Sequence, residues 1–262
     1  MLSELYASLF RKLRGKGLGL GIFNALHAVL WQSWLRPPLI EVNGCRLHLP
    51  PDDTGFSQVL EMGEVFEPEV VECLKKAIRP GMTVLDLGAN VGYYTVLASR
   101  LAGPSGKVVA VEPELVNLEY LRKNILENGC ANVTVLPYAA GDAAKDATLY
   151  LSPSTRSGHS LDVPEGGDTG SQQTKVVALD DELSGELRPH VIKMDIEGAE
   201  PPALQGMRLI LDDRRLETII VECNSYYLAK HGLTVEGFLD SLRAKGFEFR
   251  ALDAANYVGV RP

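Results

Sequence analysis

Thr83-Val84-Leu85-Asp86-Leu87-Gly88-Ala89-Asn90-Val91-Gly92 is a short apolar strand pattern that runs into a turn with two glycines. A helical pattern, Tyr93–Leu101, follows directly. Gly88 permits a tight turn, and Gly92 lets backbone and ligand approach closely. In doubly wound sheets, ligands bind beyond the carboxyl ends of the strands, near the topological switch point. Twenty-four residues after Gly88, Glu112 ends the next strand pattern, Lys107–Val111. A carboxylate there can accept hydrogen bonds from both hydroxyls of a ribose, so the expected ligand contains adenosine. The dinucleotide fingerprint GxGxxG, aligned from Gly88, would need glycines where Asn90 and Tyr93 stand, and their bulk obstructs a pyrophosphate. S-adenosyl-L-methionine has no phosphates and is served by a looser GxxxG loop, with Asp86 able to reach toward its cationic amino-acid end.

Outward from this motif the pattern alternates. Further strands are expected at Val133–Leu136, Val191–Met194 and Thr218–Val221, with helices at Pro68–Ile78, Glu114–Asn128, Ala203–Leu211 and Thr234–Lys245. Such alternation implies an α/β fold, a doubly wound and mostly parallel sheet with right-handed crossovers. Two closing strand patterns, Phe247–Leu252 and Tyr257–Val260, predict an antiparallel hairpin at one sheet edge. Residues 141–180 break the alternation: strand patterns Ala147–Leu151 and Lys175–Leu179 flank a polar stretch that reads as a disordered insert or a lid over a site.

The 262 residues carry a formal charge of −8, unevenly spread: residues 1–40 hold a local +4, so the rest carries −12. An acidic body without a basic, aromatic-lined stripe argues against nucleic acid as partner. From Gly17 to Leu35 there is no charged residue, and Arg11, Lys12, Arg14 and Lys16 precede that run. It reads either as short helices packed on the main domain, burying Trp31 and Trp34, or as an interfacial helix making peripheral membrane contact through residues 1–36. Leu39–Val42 and Cys45–Leu49 around Asn43-Gly44 predict a hairpin with a type I′ turn. The expected organisation is therefore an apolar segment at 1–38, a hairpin and connector at 39–65, and the main domain at 66–262. Four scattered cysteines without a CxxC pair read as buried thiols in a reducing, cytoplasmic setting, at most peripheral to the inner face of the membrane.

The segment from about Phe66 to Leu252 resembles FkbM-type S-adenosylmethionine-dependent methyltransferases. Four blocks carry the likeness: Phe66–Glu69, Val84–Thr95, Val109–Pro113 and Ile192–Glu200. Ala178–Asp181 and Ile219–Glu222 agree with it more weakly. The resemblance implies the seven-stranded Rossmann-like class I methyltransferase fold, and usually O-methylation of a hydroxyl on a sugar, glycolipid or other small metabolite. It also implies that Glu67, Asp86, Gly88, Ala89, Asn90 and Gly92 surround the cofactor while Glu112 holds its ribose. Residues 1–38 and Arg156–Thr174 match little.

Methyl transfer is an in-line displacement at a sulfonium carbon, so the protein mainly aligns the acceptor and removes its proton. A hydroxyl is a weak acid and calls for a base. Asp195, at the end of the fourth parallel strand, is the first choice, with Glu197 as alternative base or acceptor ligand. Lys193 shares a strand side with Asp195 and either fixes the acceptor or pairs with that carboxylate. Glu200 is expected to cap the following helix. His159, in the lid, is an acceptor contact, a second base or a solvated loop residue. Asp142 either bonds the adenine amino group or turns the chain. Asp195, Glu197, Glu222 and Asn224 offer oxygen ligands suited to Mg²⁺, but the resemblance does not demand a metal and none is assigned. Two other readings remain: a nicotinamide-dependent reductase on the same fold, opposed by Asn90 and Tyr93, and a cofactor-binding module without turnover, opposed by the acids at 112, 195 and 197.

Overall fold

A computed structural model of the chain describes residues 37–53, 55–153, 155–163, 170–183 and 188–262. The expectations for residues 1–36, including membrane contact, lie outside the described residues. Among the described residues no helix is long and apolar enough to cross a membrane.

The chain opens on the hairpin β1 (Ile40–Val42) and β2 (Cys45–Leu47), with Val42 opposite Cys45. Asn43 and Gly44 both have positive φ, 51° and 72°, as a type I′ turn requires. Two helices follow, α1 (Phe56–Glu61) and α2 (Pro68–Ala77). The alternating body then runs β3 (Thr83–Leu87), α3 (Tyr93–Ala102), β4 (Lys107–Val111), α4 (Leu115–Glu127) and β5 (Val133–Leu136). The insert supplies β6 (Ala139–Ala140), β7 (Lys145–Tyr150), β8 (Ser171–Val177) and α5 (Leu179–Glu182). Next come β9 (Val191–Met194), α6 (Glu200–Gln205), α7 (Arg208–Asp212) and β10 (Thr218–Glu222). The chain closes with α8 (Ser225–Lys230), α9 (Val235–Arg243), β11 (Glu248–Ala251) and β12 (Asn256–Val260).

Seven strands form one sheet in the order β11-β12-β10-β9-β3-β4-β5. From β5 to β10 all pairings are parallel, and β12 runs antiparallel to both of its neighbours. The switch point falls at β3, between β4 on one side and β9 on the other. Alternate strand residues feed two separate cores. Val84, Val108, Val191 and Ile220 pack with α2 and α3, while Leu85, Val109, Ile192 and Ile219 pack under α6, α7 and α9. Burial on both faces is why these strands read as continuous apolar runs.

The hairpin and connector share the first of these cores: Cys45, Leu47, Phe56 and Leu60 pack with Val70, Val96 and Val108. Asn124 of α4 ties the hairpin down. Its amide donates to the carbonyls of His48 and Val91 at 3.0 and 2.8 Å and accepts from His48 N–H at 2.7 Å. The side chain is fully buried, and an unpaired buried backbone group costs about 1–3 kcal/mol. Asn124→Ala is therefore expected to lower unfolding stability by about 2–4 kcal/mol in urea melts, with an unchanged m-value.

Several expectations are corrected. The single helix over Ala203–Leu211 is two short ones that begin earlier, at Glu200, with Pro201 and Pro202 inside the first turn. They divide at Gly206, where a β-carbon would lie 2.0 Å from the Gly141 carbonyl oxygen. The second helix is capped from a distance by Asp180, whose carboxylate accepts from Leu209 and Ile210 N–H. The insert forms a three-stranded sheet, β6-β8-β7, whose strands begin before the predicted ones. Helices α1 and α8 were not foreseen. All four cysteines are buried free thiols.

Candidate active site

One cavity lies over the carboxyl ends of β3, β4, β9 and β10, with Gly88, Glu112, Asp195 and Glu222 on its wall. Gly88 closes the tightest part of the frame. Its N–H and that of Ala89 both donate to the Val111 carbonyl at 3.0 Å, and Asp195 N–H donates to the Leu87 carbonyl at 3.1 Å. The Gly88 backbone has φ +78°, and a β-carbon there would stand 1.8 Å from the Asp195 carbonyl oxygen. The glycine serves the meeting of two strand ends.

Glu112 sits where the sequence placed it, buried at the end of β4. Asn90 N–H donates to its Oε2 at 2.8 Å and Glu114 N–H to its Oε1 at 2.9 Å. Burial nevertheless pushes its carboxyl up to about 7. The two amides fix the carboxylate plane, and each oxygen retains a lone pair for a ligand hydroxyl. Asn90 itself has φ 50°, held there as its side-chain oxygen accepts from Val91 N–H at 2.7 Å.

At the other end of the cavity, Glu67 is fixed by Tyr94 and Asn256. The tyrosine hydroxyl donates to Oε2 at 2.6 Å and the asparagine amide to Oε1 at 3.0 Å. Gly88, Ala89, Asn90, Glu67 and Glu112 all line the cavity, but Asp86, Gly92 and Asp142 do not. Asp86 shares the α3 side of its strand with Val84 and accepts from Thr95 Oγ1 at 2.5 Å. Burial raises its carboxyl, while the charge of Lys193 works the other way. Gly92, at φ +92°, faces α4, where a β-carbon would meet Leu121 Cδ1 at 2.8 Å; the close approach it permits is between helices. Asp142 is exposed and bonds Lys145 at 2.8 Å, so it turns the chain.

Three carboxylates converge at the ends of β9 and β10. Asp195, Glu197 and Glu222 each offer an oxygen within 4.8 Å of the others. Lys193 Nζ contacts Asp195 Oδ2 at 3.0 Å and lies 4.9 Å from the centre of the Tyr94 ring. Burial works to raise Asp195, yet the charge of Lys193 and a hydrogen bond with Glu222 hold it below its ordinary value. Burial and then the charge of Asp195 raise Glu197 to about 8. The charge of Asp195 comes first for Glu222, which rises to about 10. At neutral pH the cluster therefore retains protons, as closely spaced carboxylates do. Asn224 does not join it, because its side-chain oxygen accepts from Tyr226 N–H at 3.0 Å and caps α8. Glu200 closes the loop behind the cluster instead of capping α6, accepting from Ile196 and Gly198 N–H, both at 3.0 Å.

The stretch 155–163 lies across the cavity. Thr155 Oγ1 and Arg156 N–H bond Asp53, the Arg156 guanidinium pairs with Asp52 and reaches Glu114 at 3.5 Å, and Ser160 Oγ donates to the Glu197 carbonyl at 2.6 Å. His159 lines the cavity beneath this strap. Its Nδ1 accepts from Ser152 N–H at 2.9 Å, which leaves the proton on Nε2. Nε2 is buried without a hydrogen-bond partner among the described residues, and burial lowers the imidazole pKa. The ring is thus a neutral imidazole on the cavity wall, with its Nε2 proton unpaired among the described residues. Other histidines serve packing: His190 Nδ1 accepts from Thr83 N–H, and His48 bonds Pro38 and Glu127.

Tyr94 lay within the quoted motif without a role, and Asn256 lies 189 residues from the Glu67 it holds. A glycine turn beside a buried ribose-type acid, under the strand order found here, defines a Rossmann-like sheet of the class I methyltransferase type. Residues 86–249 match the family model described as the methyltransferase FkbM domain. The chain belongs to that family. A protein-L-isoaspartate O-methyltransferase of Methanococcoides burtonii is 31% identical over 130 residues, 49% of this chain and 60% of that protein. The hexuronic acid methyltransferase AglP of Haloferax volcanii is 27% identical over 162 residues, 61% of this chain and 63% of that protein. The chain thus spans less than two thirds of either relative. An FkbM methyltransferase structure from Methylobacillus flagellatus KT superposes with a TM-score of 0.47 at 19% identity, covering 78% of this chain and 52% of that one.

Proposed function

We propose that the chain binds S-adenosyl-L-methionine, with Glu112 on the ribose, and methylates a hydroxyl oxygen of a sugar or other small metabolite. The carrying observation is the convergence of Asp195, Glu197 and Glu222 beside one engaged lysine. A carboxylate acceptor is already a nucleophile and needs no base, whereas a hydroxyl needs an acceptor for its proton and finds one. The methyltransferase acting on hexuronic acid supports a saccharide acceptor, and the isoaspartate enzyme marks the carboxyl-methylating alternative.

The residues present fit the cofactor: Glu112 at one end, the glycine turn in the middle, Glu67 at the other, and an unpartnered His159 Nε2 donor along the wall. When bound, it supplies a methyl group on a sulfonium leaving group. The chain's own residues then do the rest. Lys193 keeps Asp195 ionised and immobile, so that Asp195 can orient the acceptor hydroxyl. Glu197, raised by that same charge, takes the proton. Ser160 ties the strap to the loop that carries Glu197, through its bond to the Glu197 carbonyl.

Isothermal titration of S-adenosylhomocysteine tests the binding half. The full chain is expected to bind it, and Glu112→Gln to weaken binding by about tenfold or more, the scale of hydrogen bonds to a charged group. Binding of NADH instead, or an affinity indifferent to Glu112→Gln, would overturn the reading.

A further inference from the structure

The amino-acid end of S-adenosyl-L-methionine carries an ammonium group. Asp86, the acid expected to reach it, bonds Thr95 instead and lines no part of the cavity. Five carboxylates do line it: Glu67, Glu112, Asp195, Glu197 and Glu222. Glu112 lies at the ribose end, and Asp195 already has Lys193 at 3.0 Å. Glu197 and Glu222 hold protons at neutral pH, the first mainly through burial and the second mainly through the charge of Asp195. That leaves Glu67.

An acid at the start of a helix ordinarily caps it, but the Glu67 side chain makes no bond to α2. Its backbone stands at φ 44° and ψ 66°, in the left-handed region, although the following Pro68 favours an extended conformation. Strain of this kind persists where the surroundings over-determine it, and it gathers at ligand sites. Here two uncharged donors hold the side chain, Tyr94 on Oε2 at 2.6 Å and Asn256 on Oε1 at 3.0 Å. Burial and then the charge of Glu67 push the Tyr94 hydroxyl well up, so it stays a donor. Among the described residues Glu67 belongs to no ion pair; Lys193 pairs with Asp195. Both oxygens are anchored, and each keeps a lone pair for a ligand. Asn256 is itself held firmly. It opens β12 opposite Glu222 of β10, and it donates to Asp253 through its backbone N–H at 2.8 Å and its amide at 3.0 Å. The residue is buried and does not line the cavity, so it acts on a ligand only through Glu67.

We propose that Asn256 is a positioning residue for the ammonium group of the cofactor, holding Glu67 so that its carboxylate meets that group. This rests on the methyltransferase reading and adds to it a residue from the antiparallel edge of the sheet. A glutamate free to rotate loses rotamer freedom when it binds, and one fixed beforehand does not. A lysine or arginine could fix it equally well but would cancel the charge that attracts the ligand. An amide and a phenol fix it and leave the charge in place.

The experiment titrates the full chain calorimetrically with three ligands: S-adenosylhomocysteine, its decarboxylated analogue, which keeps the amine, and methylthioadenosine, which lacks the whole amino-acid end. Asn256→Ala is expected to weaken the two amine-bearing ligands by about tenfold and to leave methylthioadenosine within about twofold of the wild type. Tyr94→Phe keeps the ring and loses only the hydroxyl on Oε2, so it is expected to give the same pattern and serves where Asn256→Ala does not fold. In a Glu67→Gln background, Asn256→Ala is expected to add little further loss, because the residue acts through that carboxylate. Failure of the wild type to bind S-adenosylhomocysteine would defeat the methyltransferase reading itself. With that binding intact, an equal loss of all three ligands would overturn the proposal by showing a merely structural role. Unchanged affinity for the decarboxylated analogue would also overturn it, as would a full additional loss in the Glu67→Gln background.

Discussion

Gly88→Ala is expected to cost about 3 kcal/mol or more of stability, because strain at positive φ and a backbone clash act at the same atom. The clash is severe: the added carbon falls 1.8 Å from a carbonyl oxygen, and backbone cannot rotate aside as a flexible side chain can. Relief requires the β3 turn to withdraw from β9. That movement would loosen the two amides on the Val111 carbonyl and the Asp195 N–H bond to Leu87. For a chain of this size the melting temperature should drop by roughly 6–12 °C. S-adenosylhomocysteine affinity should fall further than stability explains, since Ala89, Asn90 and the Asp195 backbone would all shift relative to Glu112. Differential scanning calorimetry and titration of the folded fraction separate the two effects. Wild-type melting and affinity in Gly88→Ala would contradict the geometry described.

What the sequence made legible follows from how local each signal is. The parallel strands were readable to the residue at β3, β4, β5 and β9, because burial on both faces leaves uninterrupted apolar runs bounded by turns. Gly88 and Glu112 were readable because a turn and a strand end lie next to each other in the chain as well as in space. Asp86 and Gly92 belong to the same motif, yet their partners are Thr95 and Leu121, and the chain alone did not tell a ligand from a neighbouring helix. The parity of Asp86 with Val84, on the α3 side of β3, was the available clue. For Asp142 the clue was Lys145, three residues on. Asn256 had no local signal, since its importance comes from a contact with Glu67, 189 residues away. The cluster was visible as a list of acids. Its charge distribution was not, because that depends on the burial of Lys193 and on which carboxylate it touches.

That distribution makes Glu197→Gln the change expected to reduce turnover most, by about 10²–10⁴, with S-adenosylhomocysteine binding preserved. Asp195 is held below its ordinary value by Lys193 and so is a weak proton acceptor, whereas Glu197 is raised to about 8 and is a stronger one once ionised. A base of that kind is protonated and idle at low pH, so the wild-type rate should rise as pH increases through about 8. The sign of a second variant discriminates further. Asp195→Asn removes the negative charge that helps to raise Glu197, so the rising limb should move to lower pH even though the plateau rate falls. Were Asp195 the base, that variant would abolish the limb, and Glu197→Gln would leave it in place. The measurement is formation of S-adenosylhomocysteine against pH for the three proteins, with a glycoside that supports turnover. The same assay in excess EDTA separates proton transfer from cation binding: an unchanged rate agrees with Lys193 as the only cation the cluster needs. Loss of rate restored by Mg²⁺ would instead assign the three carboxylates to a metal. In either case the group that matters is chosen by its neighbours, since Asp195 and Glu197 differ less in chemistry than in which of them Lys193 reaches.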